Sequence, residues 1–211
     1  MKKSIILIGA GGHCKACIEV IEAENKFKIA AIVDIKEKIG QKILSYCISA
    51  SDRDLATLIK KHKNFLITVG QIKNGSKRVE LFDQVKKLGG HFPTIIASTA
   101  NVSKHAKVSE GTIVMHGAKI NAGVVIGKNC IVNTSAIVEH DAVIEDHCHL
   151  ATGSIVNGEC NIGAGTFIGS NSVVINNLNV TAGVILGAGA VVIKNITQPG
   201  TYAGNPAHRV G

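Results

Sequence analysis

Aromatic side chains are scarce in this chain, which has no tryptophan, two tyrosines and five phenylalanines. An interior built on rings is therefore excluded, and packing falls to valine, isoleucine, leucine and alanine. Long apolar runs are missing too. After two lysines the N-terminus offers only Ile5 to Ile8 before Gly9, too short for a secretion-signal core or a membrane span. A soluble, cytoplasmic protein is expected. With no secretion signal, the six cysteines are expected as free thiols and not as disulfides. The formal charge of +8 is not gathered into a basic stripe interleaved with aromatics, which argues against a nucleic-acid face. Phosphate-bearing small molecules are the partners that such a charge suits.

What the chain does have is a period. From Val102 an aliphatic residue stands at every sixth position, through Val108, Val114, Ile120 and Ile126 to Leu186 and Val192, sixteen in phase without an insertion or a miss. A hexapeptide period is a repeat signature of a parallel β-helix. Two residues before most of these positions stands a small one, such as Ala118, Ala136, Ala142, Ser154 or Ser172, as tight corners require. Val124, Leu178 and Val184 are the exceptions. Cys130, Cys148 and Cys160 share the small register, so they read as compact corner fillers and neither as nucleophiles nor as metal ligands. Stacked repeats cannot bury their inner face alone, so capped ends and association of the outer faces are expected.

The first 93 residues follow a different grammar. Ser4 to Ile8 reads as a strand, Gly9 to Gly12 as a glycine turn, His13 to Ala23 as a helix and Ile29 to Asp34 as a second strand. Phe65 to Val69 is a further strand, with a turn over Gly70 to Gly75 and a helix from Ser76 to Leu88. The expected architecture is a small Rossmann-like α/β domain with a parallel sheet (1–93), then an all-β parallel helix (94–211).

Each part has its own chemistry. Gly9, Gly11 and Gly12 ahead of a helix place backbone amides where a phosphate can sit, although a plain strand-to-helix turn would use the same residues. The third glycine of a dinucleotide fingerprint would fall at Cys14, so a mononucleotide or nucleotide sugar fits better than a dinucleotide. Asp34, at the end of the second strand, stands where a carboxylate accepts from a ribose or base. In the repeat, His140 lies off the aliphatic row with Asp141 beside it, a pairing suited to taking a proton from an attacking amine or hydroxyl. Two rivals share parts of this pattern. A zinc enzyme would use His105, His116, His140, His147 and His149, but their spacing does not put three on one stacked face. A non-catalytic nucleotide-sugar scaffold would keep the glycine turn and have no need of the His140–Asp141 pair.

The glycine turn, the stretch EHDAVIEDHCHLATGSIVNG (139–158), the sixfold repeat and the closing PGTYAGNPA (199–207) together resemble the bacterial sugar acetyltransferases of the PglD-like, PerB-like and NeuD-like type. The resemblance implies a left-handed β-helix with three hexapeptides to a coil, hence about five coils, working as a homotrimer. It implies acetylation, from acetyl-CoA and without a metal, of the amino group of a nucleotide-linked 4-amino-sugar in surface-glycan synthesis; acetylation of a sialic acid hydroxyl is the alternative. His140 would be the general base, Asp141 its orienting partner and Asn133 an acceptor contact. His149, Gly158, Gly187, Ala203 and Pro206 would lie along acetyl-CoA, and Gly9, Gly11, Gly12, His13 and Asp34 along the nucleotide sugar. Two positions depart from the family pattern: Ile35 where many relatives carry a second acid, and Glu145 where they often carry glycine.

Overall fold

In a computed structural model, which describes residues 2–72 and 74–210, the N-terminal part is one sheet flanked by helices. Strand β1 (Lys3–Ile8) leads through the glycine turn into helix α1 (Gly12–Glu24), and β2 (Phe27–Asp34) follows. The chain continues as β3 (Lys42–Ile43), β4 (Tyr46–Ser51), α2 (Leu55–Lys61), β5 (Asn64–Ile67) and α3 (Ser76–Lys87). The sheet order is β3-β4-β2-β1-β5, parallel except for the β3–β4 hairpin. Strands β2 and β5 thus leave β1 in opposite directions, and the crevice at such a switch point is where open α/β sheets bind ligands. β1 is apolar on both faces, with Ile5 to Ile8 all buried, as befits a strand covered on both sides. The sequence reading passed over β3, β4 and α2, whose short segments show neither a clear alternation nor a full helical period.

The remainder is the parallel β-helix. Two-residue strands pair at steps of eighteen residues: Lys119 with Ile137, Ile137 with Ile155, Ile155 with Val173 and Val173 with Val191. Three such ladders make the three faces of the helix, the first beginning at Ile95–Ile96, the second at Asn101–Val102 and the third at Lys107–Val108. The helix starts one strand earlier than the sixfold count, at Ile95–Ile96, which pairs with Ile113–Val114. Every inward aliphatic from Val114 to Val192 is buried. Each contributes roughly 1.5–3 kcal/mol by leaving water, offset by the cost of ordering the chain. The exceptional corners Val124 and Val184 are buried as well.

The corner cysteines do more than fill space. Cys130, Cys148 and Cys160 donate their S–H to the carbonyls of Glu145, Gly163 and Ile175 at 3.2, 3.3 and 3.0 Å, reaching into the next coil. Thr112 and Thr166 do the same with their hydroxyls toward Gly127 and Thr181. At the far end Gly200–Ala203 adds a last parallel strand, and His208–Val210 folds back on it antiparallel, which closes the stack.

The turns carry a third sixfold register that the sequence reading did not contain. One residue of each corner is left-handed, from Gly111, Gly117 and Gly123 through Asn129, Ser135, Asp141 and His147 to Gly183 and Gly189. Asp141 therefore occupies a backbone conformation, φ 59°, that costs a side-chain-bearing residue energy.

Candidate active site

The glycine turn is shaped by what glycine leaves out. At Gly9, with φ +108°, a Cβ would lie 2.5 Å from a Val69 methyl, so the close crossing of β1 and β5 needs the bare backbone. Beside Gly11 and Gly12 there is open space. Helix α1 begins there with no side-chain cap and no acid in its first turn, which leaves its amides and the positive end of its dipole facing outward. Asp34 closes the turn: its carboxylate accepts from the Ala10 amide at 2.6 Å and the Ile35 amide at 2.8 Å, and pairs with Lys38 at 3.1 Å. Partial burial works against its charge, yet these amides and Lys38 outweigh it and hold the carboxyl below its ordinary range. The result is a cleft of about 280 Å³ lined by Gly9, Ala10, Gly11, Asp34, Gly70 and Lys77, among others. It sits at the switch point.

His13 faces inward from the start of α1. Its Nε2 meets the Cys17 thiol at 3.4 Å. Burial, with Arg78 and His149 nearby, pushes its pKa down to about 3, so the ring is neutral. The His149 ring is 6.4 Å away, centre to centre. His149 stands on the first face of the β-helix, under the turn that follows β5, with Nδ1 at 2.6 Å from the Gln71 carbonyl and Nε2 at 3.2 Å from Asn133 Nδ2. Asn133 and His149 are therefore brought together with His13.

His140 is elsewhere. It lies on the corner between the second and third faces, its Nδ1 donating to Asp141 Oδ2 at 3.0 Å, which leaves Nε2 as the free lone pair. One coil on, Gly158 lies directly against that ring: a Cβ there would be 2.7 Å from both Nε2 and Cε1. The Gly158 N–H has no hydrogen-bond partner among the described residues. A proton acceptor and an unused amide donor thus share one spot, as acyl transfer requires. The His140 and Asp141 side chains remain 54% and 63% exposed. Gly187 and Ala203 are in contact with each other near the end of the helix, the Gly187 amide bonding the Tyr202 carbonyl at 2.8 Å, and Pro206 lies in the closing hairpin turn. Among the described residues no hydrogen bond joins this group, the His140 corner and the glycine cleft.

Two residues of the region were not singled out from sequence. Arg78 is buried with no carboxylate partner among the described residues, its guanidinium donating to the carbonyls of Ile67, Val69 and Asn129 and to Asn129 Oδ1. Burial lowers its pKa to about 10, still charged near neutrality. It ties α3 and the end of β5 to the β-helix. Gln71 is buried as well and links the same two parts through Gly165 at 3.1 Å. Among the described residues no three His, Cys, Asp or Glu side chains gather as a metal site. Of the other repeat histidines, His116 pairs with Thr99 and His147 with Asn129.

Residues 4–85 match the family model described as the PglD N-terminal domain. A curated UDP-N-acetylbacillosamine N-acetyltransferase of Bacillus subtilis (strain 168) is 37% identical over 115 residues. That alignment takes in 54% of this chain and 51% of the relative, so the chain spans about half the length of the curated relative it matches. Perosamine N-acetyltransferase from Caulobacter crescentus, solved as a histidine-to-asparagine variant with CoA and GDP-perosamine, is 30% identical over 99% of this chain and 97% of its own, with a TM-score of 0.92. The chain belongs to the bacterial sugar acetyltransferase family. The chain is also similar to the acetyltransferase domain of PglB from Neisseria gonorrhoeae FA1090 in complex with acetyl coenzyme A, at 29% identity, full coverage of both chains and a TM-score of 0.91. No helix among the described residues is long and apolar enough to cross a membrane.

Proposed function

We propose that the protein transfers the acetyl group of acetyl-CoA to the amino group of a nucleotide-linked 4-amino-sugar, in the cytoplasm and as a step of surface-glycan synthesis. The observation that carries this reading is the His140–Asp141 pair packed against side-chain-free Gly158. The nucleotide diphosphate would lie on the amides of Gly11, Gly12 and His13, with Gly9 and Asp34 shaping the cleft and Lys38 and Lys77 supplying positive charge. Acetyl-CoA, supplying the acyl group as a thioester, would run along His149, Gly158, Gly187, Ala203 and Pro206, with Asn133 on the acceptor side.

His140 Nε2 accepts a proton as the neutral amine attacks the thioester carbonyl. Asp141 holds the reactive tautomer and stabilises the imidazolium. The Gly158 N–H donates to the oxygen that gains charge. A nitrogen–carbon bond forms, the carbon–sulfur bond breaks, and the imidazolium returns the proton to the departing sulfur. No enzyme nucleophile is used: the corner cysteines are capped donors, and burial raises the Cys160 thiol above its ordinary range.

The exposed catalytic pair needs a second wall, and the adjoining surface is built for one. The second face presents Ile137, Ile155, Val173 and Val191 outward, and Ile175 and Ile193 lie on the His140 corner at 36% and 45% exposure. Association into a homotrimer would cover this stripe and bring another protomer's surface to His140. Release of free CoA from acetyl-CoA, measured with UDP- and GDP-linked 4-amino-sugars beside free and CMP-linked sialic acid, tests the reading. Rapid release with one amino-sugar is expected; release only with a sialic acid would overturn the acceptor assignment. His140→Ala should lower turnover by about 10²- to 10⁴-fold with the melting temperature unchanged, and near-normal activity would remove His140 from the mechanism.

A further inference from the structure

The charge of the chain is lopsided. Residues 1–93 hold seventeen lysines and arginines against nine acids, and residues 94–211 hold six against six, so the whole formal charge of +8 falls in the N-terminal part. Lysines scattered along that sequence are gathered by the parallel sheet, whose strands all start at one end and whose return helices finish there. Lys2 and Lys3 stand at the start of β1, and Phe27, in register with Lys3, opens β2 between Lys26 and Lys28. Lys63 directly precedes β5, and α2 and α3 end on Lys60, Lys61 and on Lys86, Lys87. The bridge from Asn64 to His91 brings the end of α3 to the same level.

All nine lysines are exposed. Lys26 pairs with Glu24 and Lys86 with Glu110, and Glu22 is engaged by the Tyr46 hydroxyl at 2.8 Å. Lys3, Lys28, Lys60, Lys61, Lys63 and Lys87 meet no carboxylate within 4.0 Å among the described residues. The negative ends of α2 and α3 favour lysines in their last turns. They do not explain Lys3, Lys28 and Lys63, which lie on or beside strands. At the other end of the sheet Asp34 closes β2 and Asp52 follows β4, beside the glycine cleft. The N-terminal part is thus basic where its strands begin and acidic where they end.

The kind of charge points to the kind of partner. Arginine's planar fork suits one shaped acidic group, whereas the lysine ammonium is a point charge on a flexible stem, matched to a diffuse negative surface. Phe27, the ring among these lysines, is half-buried in the core beneath and offers no platform for stacking bases. Leu88, 41% exposed beside Lys87, puts an apolar tip at the same end, as the boundary of a bilayer accommodates. The β-helix does not stand in the way. Its first coil meets the end of α3 through Glu110 and Lys86, its second meets Arg78 through Asn129, and later coils reach Gln71 near the cleft. It therefore rises from the basic end toward the cleft.

We propose that the basic end of the sheet docks the protein on an anionic phospholipid surface, with the glycine cleft turned away from the bilayer and open to soluble ligand. This docking uses neither the cleft nor His140, so it stands apart from the acetyl-transfer reading. Copies associated along the stripe beside His140, which runs parallel to the β-helix, would present their basic ends on one side.

Co-sedimentation of the full chain with vesicles tests it. Phosphatidylcholine vesicles containing about one third phosphatidylglycerol should bind the protein and pure phosphatidylcholine should not, and about 0.5 M salt should release it. Each lysine near such a surface strengthens binding roughly fivefold. Lys60→Gln with Lys61→Gln and Lys63→Gln should therefore weaken it by roughly 100-fold, and Lys2→Gln with Lys3→Gln by roughly 25-fold. The same loss of charge at Lys36, Lys119 and Lys194, away from this end, should cost less than about threefold. All three variants should melt as the wild type does. No binding to the anionic vesicles, or equal losses from the two triple variants, would overturn the docking. Binding of polyglutamate without binding of vesicles would give the surface to an acidic protein instead.

Discussion

At the scale of single residues, the site depends on side chains that are missing as much as on those present. Gly158→Ala would press a methyl against the His140 ring, 2.7 Å from Nε2, and turn the proposed base off its line. A loss of at least about tenfold in kcat, with little change in melting, is expected from calorimetry beside initial rates. His149 gives a second test, in stability. Its pKa in the folded chain is about 4 against 6.5 unfolded. Above pH 6.5 both states are neutral and nothing is gained or lost. Between the two values the unfolded chain binds the proton and the folded chain refuses it, so stability falls as pH drops from 6.5 toward 4, by up to about 1.4 kcal/mol per pH unit from this group. Denaturant melts across that window should show a shallower decline in His149→Phe; an unchanged slope would mean that the ring titrates normally. His140 and Asp141 were legible in the sequence because they are neighbours in the chain. Gln71 and Arg78 were not, because their partners lie 78 and 51 residues away.

At the scale of elements, legibility followed periodicity. The inward aliphatic row was readable because one chemical type serves at every corner, and the stack holds it without a miss. The left-handed register escaped notice because glycine, asparagine, serine, aspartate, histidine and glutamate all occupy it, so no single residue type marks the position. Ile96 belongs to the same row but precedes the first in-phase position assigned, and it pairs with Val114. The core itself can be tested at Ile162, fully buried between Ile144 and Val180. Ile162→Ala should destabilise the fold by about 2–5 kcal/mol, because coils locked by ladder bonds on either side cannot collapse onto the space left. Urea unfolding measures this, and a cost below about 1 kcal/mol would mean that the coils relax.

At the scale of the whole molecule, the glycine cleft and the His140 corner are separate places on one chain, and the apolar stripe beside His140 points to the surface that would complete the site. Ile155→Lys puts a charge in the middle of that stripe. Sedimentation should show monomers in place of trimers, and transfer activity should disappear with them while the circular dichroism stays that of the wild type. A monomeric variant that retains full activity would show that one chain suffices. The step of eighteen between paired strands also limits how such a chain can change length. Loss or gain of a single residue within a strand would turn every later inward side chain outward, whereas removing residues 167–184, one full turn of the stack beyond His140 and Gly158, would leave every remaining side chain in register. Ancestral lengthening and shortening of this part should therefore proceed by whole coils, with the distance between the catalytic corner and the closing hairpin changing in discrete steps.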